Sequence, residues 1–252
     1  KEKLREHNYL GESAGSPRHV THVLSHILNG TPLFRAEHEL LVNVLLIFGA
    51  LVAVLGGIYF FWFTGNVPFL KLWPVLALIP FGLAVNMGAL LHVRQLCHHF
   101  TCTNGMMAGM TIGMIAGFMS GAILGATNGM FVGSVVGMFV GMSVSAWAVR
   151  KVGIMGILEG LMAGLMAGTM GAMLSVMMLS DHLVLFLYLL FGVCALILAG
   201  MSYFIIKEIG PISDEEQKEG IFPLFLLNVL ILFVFVALIL LGPKSSFVIG
   251  AF

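Results

Sequence analysis

Polar and charged residues gather at a few points along this chain, and between them run apolar stretches without interruption. A helix needs about 20 apolar residues to cross the hydrocarbon core of a bilayer. Seven stretches meet that length: residues 40 to 63, 72 to 93, 105 to 125, 129 to 149, 152 to 179, 183 to 205 and 221 to 242. Only Ala126, Thr127 and Asn128 separate the third from the fourth, which predicts a tight antiparallel hairpin. Pro74 and Pro80 predict a bend in the second span. An odd number of spans puts the two termini on opposite sides of the membrane.

The polar segments organise the rest. Residues 1–38 form an N-terminal segment, 39–242 one transmembrane domain and 243–252 a short tail. Within the first, Ser16 and Pro17 read as an N-cap and first helical residue and Gly30 as the stop. Between them Val20, Val23, Leu24, Ile27 and Leu28 make one apolar stripe, so 17–29 is expected to be an amphipathic helix lying on the membrane surface. The first 38 residues show no signal-peptide pattern, and the chain opens on Lys1, so a start further upstream is expected. In the connection between spans six and seven, Ser213 with Glu216 three residues on is a capping-box pattern for a short surface helix.

Glycine then repeats inside the apolar stretches. Gly105, Gly109, Gly113, Gly117, Gly121, Gly125, Gly129, Gly133, Gly137 and Gly141 fall at strict intervals of four, and Gly156, Gly160, Gly164 and Gly168 resume the spacing. Between lipid-embedded helices there is little hydrophobic drive, so association rests on close van der Waals contact, which small residues permit. The expected fold is therefore an all-α integral membrane protein of about seven spans. Spans three to five would pack as a glycine zipper at its centre, with the Leu- and Phe-rich spans around them. At roughly 100° per residue a four-residue repeat drifts about 40° per step, so the ridge winds around each helix.

Composition agrees with this class. The chain is 59% hydrophobic and 10% charged, with a mean hydropathy of +1.04, against roughly 25% charged for soluble domains. A formal net charge of +0 favours neither nucleic acid nor an acidic partner. Ten of the twelve Lys and Arg residues fall on one side of the seven-span arrangement, with only Lys71 and Lys244 opposite. By the positive-inside rule the N-terminus is expected in the cytoplasm and the C-terminus outside, in a bacterial or archaeal cytoplasmic membrane. Three cysteines make no extracellular disulfide framework.

Methionine carries the candidate chemistry. Fifteen of the seventeen lie between residues 106 and 178. In span five, Met155, Met162, Met166, Met170, Met173 and Met177 fall within an arc of about 80° on a helical wheel, with Glu159 in the same arc and the glycines largely opposite. Thioether sulfur is a soft, neutral ligand suited to Cu(I), and weak rungs suit conduction. Met106, Met110 and Met114 add a second stripe in span three. These methionine-xxx-methionine and glycine-xxx-glycine elements resemble, locally, those of the eukaryotic-type copper transporter family. That family has three spans per chain, so the likeness carries no fold or mechanism here. Flexible methionine filling gaps beside glycine is the plain alternative.

Ionisable groups complete the set. Glu159 lies eight residues past Lys151, about 12 Å along a helix, where a carboxyl is costly unless paired or wet. It is a candidate for proton or cation coupling, or for a hydrogen bond to Asn43 or Asn86. At the end of span two, His92, Cys97, His98, His99 and Cys102 form a thiolate and imidazole set that suits copper or zinc, with a polar interfacial collar as the alternative. His19, His22 and His26 share one face of the N-terminal helix and are a possible second metal face. Cys194 reads as packing, and Asp181 with His182 as an outer connection. The expected function is soft-metal transport or handling, copper(I)-like, without catalysis. The alternative is an accessory subunit that packs into a larger membrane complex through its glycine-rich helices. The expected surroundings are the bilayer and copies of this chain or other membrane subunits.

Overall fold

The computed structural model describes residues 35–63, 73–96, 102–209 and 221–242. Among them there is helix and turn and no strand. The helices are α1 (Arg35–Phe63), α2 (Trp73–Leu76), α3 (Leu78–Leu96), α4 (Cys102–Asn128), α5 (Met130–Ala148), α6 (Ile154–Met177), α7 (Leu183–Ile209) and α8 (Ile221–Leu241). A 3-10 turn, Met178–Ser180, closes α6. Five segments are long and apolar enough to cross a membrane: Pro74–Arg94, Thr103–Asn128, Met130–Ala148, Ile154–Ser180 and Leu183–Ile205. The described apolar parts of α1 and α8 are shorter, Val44–Gly57 and Asn228–Ile239. The expected helix 17–29 with His19, His22 and His26, the connection at 211–216 and the tail 243–252 lie outside the described residues.

Two proline positions explain why the second apolar stretch is two helices. Pro80 has no N–H to return to the Leu76 carbonyl, and the chain turns at Ala77 between α2 and α3. The expected hairpin loop at 126–128 is corrected. Ala126, Thr127 and Asn128 are the last turn of α4 and are buried. Their polar atoms are satisfied where they stand: Thr127 Oγ1 donates to the Ile123 carbonyl at 3.0 Å, and Asn128 Nδ2 donates to the Leu238 carbonyl of α8 at 2.7 Å. The reversal is made by Gly129 alone, at φ 108°, a backbone conformation that side chains disfavour.

Helices α4, α5 and α6 meet backbone to backbone. A β-carbon built on Gly113 would lie 2.8 Å from the Gly160 carbonyl oxygen, and one on Gly117 would lie 3.0 Å from that of Gly164. These pairs climb together along the chain, so α4 and α6 run parallel. Gly133, Gly137 and Gly141 instead meet Gly125, Gly121 and Gly117, whose numbers fall as theirs rise, so α5 is antiparallel to α4. Gly141 touches both neighbours at once: its β-carbon would be 2.9 Å from the Cα of Gly117 and 2.9 Å from the Cα of Gly164. Ser145, fully buried, ties the seam with a hydrogen bond from Oγ to the Gly109 carbonyl at 2.9 Å.

On its other side α4 packs quite differently. Large side chains of α1, α3, α7 and α8, among them Leu51, Ile79, Phe191 and Leu232, enclose Ile123 and Leu124 in one apolar core. The four Leu- and Phe-rich helices therefore do not surround the glycine trio as expected. They cover α4, whose span is 72% buried, and leave α6 at 39% and α5 at 22%. The reason is steric: α6 spends its small residues on α4 and α5, and its remaining arc carries long methionines with no described helix against them.

Alanine at Gly137 or Gly141 adds a methyl where only backbone fits, and overpacking of this kind costs about 1–3 kcal/mol. Thermal unfolding in detergent should fall by several degrees for each, whereas Gly192→Ala and Gly200→Ala, whose added β-carbons would meet nothing within 4 Å, should leave it unchanged. Equal sensitivity at all four positions would show that the trio is not in backbone contact.

Candidate functional site

The two faces of α6 have opposite characters. Gly156, Gly160, Ala163, Gly164, Ala167, Gly168, Gly171, Ala172 and Ser175 are buried. Met155, Met162, Met166, Met170, Met173 and Met177 are exposed, Met162 at 66%. Glu159 stands half-exposed among them and forms no hydrogen bond or ion pair with a described residue. Among the described residues the thioether column is thus an outer surface and lines no passage between helices. On α4, Met110 and Met114 are likewise exposed, and Met106 is half-buried.

One end of the bundle gathers the described basic residues. Arg94, near the end of α3, places its guanidinium 4.4 Å from the centre of the Trp147 ring near the end of α5, a cation-π contact. Arg150 and Lys151 lie in the turn that follows. At the same end a cleft of about 250 Å³ opens between α4 and α7, with the thioethers of Met107 and Met201 on its walls. At the opposite end Asp181 is part of the chain reversal, its carboxylate accepting from the His182 N–H at 2.9 Å.

Of the thiolate and imidazole set, only His92 is fully described. It is buried, its imidazole is paired with the backbone of Ser202 on α7, and its Nε2 has no partner among the described residues. Cys97, His98 and His99 lie outside the described residues, as does the side chain of Cys102, which begins α4. Among the described residues no group of three or more His, Cys, Asp or Glu side chains comes together to hold a metal. Cys194 is buried in the apolar core of α7, a packing position.

A pairing not foreseen from the sequence lies deeper. Asn86 on α3 donates from Nδ2 to its own helix at the Gly82 carbonyl, 2.8 Å, and across to Met119 Sδ on α4, 3.1 Å. Its Oδ1 is buried without a partner among the described residues. Met119 was open to notice: on a helical wheel it falls about 140° or more from Met106, Met110 and Met114, off their stripe.

The two-faced character of α6 is directly measurable. With the native cysteines replaced by serine, cysteine at Met162, Met166 or Met170 of the solubilised protein should react with a membrane-permeant maleimide at least tenfold faster than cysteine at Ala163 or Ala167. Comparable rates at all five would contradict the placement of the column. Comparison with protein-family models, with curated proteins and with solved structures finds no match to this chain. What it does has to be read from its own residues.

Proposed function

We propose that this chain is a seven-span, glycine-zippered membrane protein that handles a soft cation of the copper(I) type, working as an assembly in which the methionine face of α6 meets another copy. The observation that carries this reading is the separation of sulfur from glycine on α6. Methionine that filled gaps beside glycine would lie on the glycine face; here the six thioethers stand on the other side, exposed. A carboxyl turned to acyl chains is costly as well, which argues that Glu159 does not face bare lipid.

The ligand chemistry favours a second copy over a single helix. Side chains one turn apart have β-carbons about 5–6 Å apart, so one column offers an ion sulfur from one side only. A facing column supplies the opposing thioethers. Neutral sulfur binds Cu(I) softly and lets it go, and Glu159 balances its charge or carries a proton in exchange. Cys97, His98, His99, Cys102 and His92 would receive the ion at the basic, cytoplasmic end, with the N-terminus on that side and the C-terminus outside. The histidines at 19, 22 and 26 would extend the receiving surface. An accessory subunit without metal would use the same face for assembly alone.

Silver(I), a redox-stable stand-in for Cu(I), separates the two. Protein in lipid nanodiscs should bind it under reducing conditions, and the volume-conserving triple change Met162→Leu, Met166→Leu and Met170→Leu should weaken the apparent affinity at least tenfold, about 1.4 kcal/mol. In vesicles, Glu159→Gln should slow metal flux. Unchanged silver binding by the triple variant would overturn the metal reading of this face and leave the accessory subunit.

A further inference from the structure

The glycine seam fixes what stands beside Glu159. Gly109 meets the carbonyl oxygen of Gly156, Gly113 that of Gly160, Gly117 that of Gly164 and Gly121 that of Gly168. Each step of four on α4 thus matches a step of four on α6, and the two parallel helices keep one register along the seam. Glu159, one residue before Gly160, is level with Ile112, one residue before Gly113. Met110 and Met114 lie two residues to either side of that level, about 3 Å along the axis.

They share a flank as well as a level. Met110, Met114 and Phe118 follow at steps of four as one stripe of α4, and Gly171 of α6 rests against the Phe118 carbonyl. On α6, Glu159, Ala163, Ala167 and Gly171 follow at the same steps, the last three buried. The opposite flank of α4, with Ala116 and Ser120, is turned to Val140 and Val144 of α5. The two stripes therefore run side by side along the open edge of the seam between α4 and α6. Toward the basic end Met110, Met114 and Glu159 emerge from it, the methionines exposed and the carboxyl half-exposed. Farther along, the α4 stripe continues with Phe118 and Ala122, whose side chains carry no ligand atom. Sulfur from α4 therefore borders the column of α6 only near the level of Glu159.

We infer that Met110 and Met114 of α4 and Glu159 of α6 form a two-helix site for a soft monovalent cation at the edge of this seam. The inference rests on the soft-cation reading above and assigns it a position and ligands. Two thioethers select a soft ion, and a single carboxylate leaves the occupied site neutral, which relieves the cost of a bare charge at that depth. Hard divalent cations take about six oxygen ligands and would find one carboxylate here. The three side chains hold the ion from one side, and the copy that meets the face of α6 closes the other.

The test is the number of silver(I) ions bound per chain in nanodiscs under reducing conditions, measured by elemental analysis after equilibrium dialysis. The double change Met110→Leu with Met114→Leu should lose one equivalent relative to the unaltered protein, and Glu159→Gln should lose the same one. Met130→Leu, at an exposed methionine of α5, should lose none. Adding the double change to the triple leucine variant of α6 should remove one further equivalent. If thermal unfolding shows that the double variant fails to fold, Met110→Leu and Met114→Leu taken singly decide, each expected to weaken that equivalent at least tenfold. An unchanged count in the folded double variant, or unchanged affinity in both single ones, would overturn the two-helix site and leave the reading of the α6 face intact. Absence of silver from the unaltered protein would overturn both.

Discussion

The structure depends on three backbones being allowed to touch. Once α4, α5 and α6 approach so closely that Gly141 lies against both of its neighbours, the rest follows from geometry. Each small residue used at a seam leaves the opposite arc of its helix to something else. For α4 that arc, which carries Ile123 and Leu124, meets Phe191, Leu232 and the other large side chains of the core. For α6 it meets nothing among the described residues, and there the methionines and Glu159 stand. The same contact that holds the trio together thus determines which chemistry faces outward. Backbone contact suits a bilayer, where apolar surface gains little by association and close van der Waals approach gains more.

Polar residues inside the bundle serve two distinct ends. Ser145, Thr127 and Asn128 bond to carbonyls of their own or neighbouring helices and join α4 to α5 and α8. Their donors are spent on structure. Asn86 and His92, both on α3, are different, because each keeps one buried atom unpaired among the described residues. Both atoms lie on α3, where Asn86 also joins that helix to α4 through Met119.

Local features of the chain were readable before any coordinates. The four-residue glycine spacing and the arc of methionines on α6 repeat within one helix, and a wheel suffices to place them on opposite sides. Which partner each side meets is a matter of tertiary register, and there the sequence was silent. Nothing local says that Gly117 meets both Gly137 and Gly164, or that the Leu-rich helices cover α4 and pass α6 by. Thr127 and Asn128 looked like loop residues because they are polar; burial beneath α8, more than a hundred residues away, makes them helical. The pairing of Asn86 with Met119 was hidden for the same reason, since it joins helices 33 residues apart.

Whether an ion can be held depends on what covers the outward face of α6. Cysteine introduced at Met166 or Met170, in a chain otherwise free of cysteine, can be oxidised in intact membranes and run on a non-reducing gel. Disulfide-linked dimers should form at both positions, whereas cysteine at Leu196, exposed at 72% on α7, should stay monomeric. If positions 166 and 170 stay monomeric as position 196 does, the sulfur face looks into lipid, and no seam between copies exists to hold an ion.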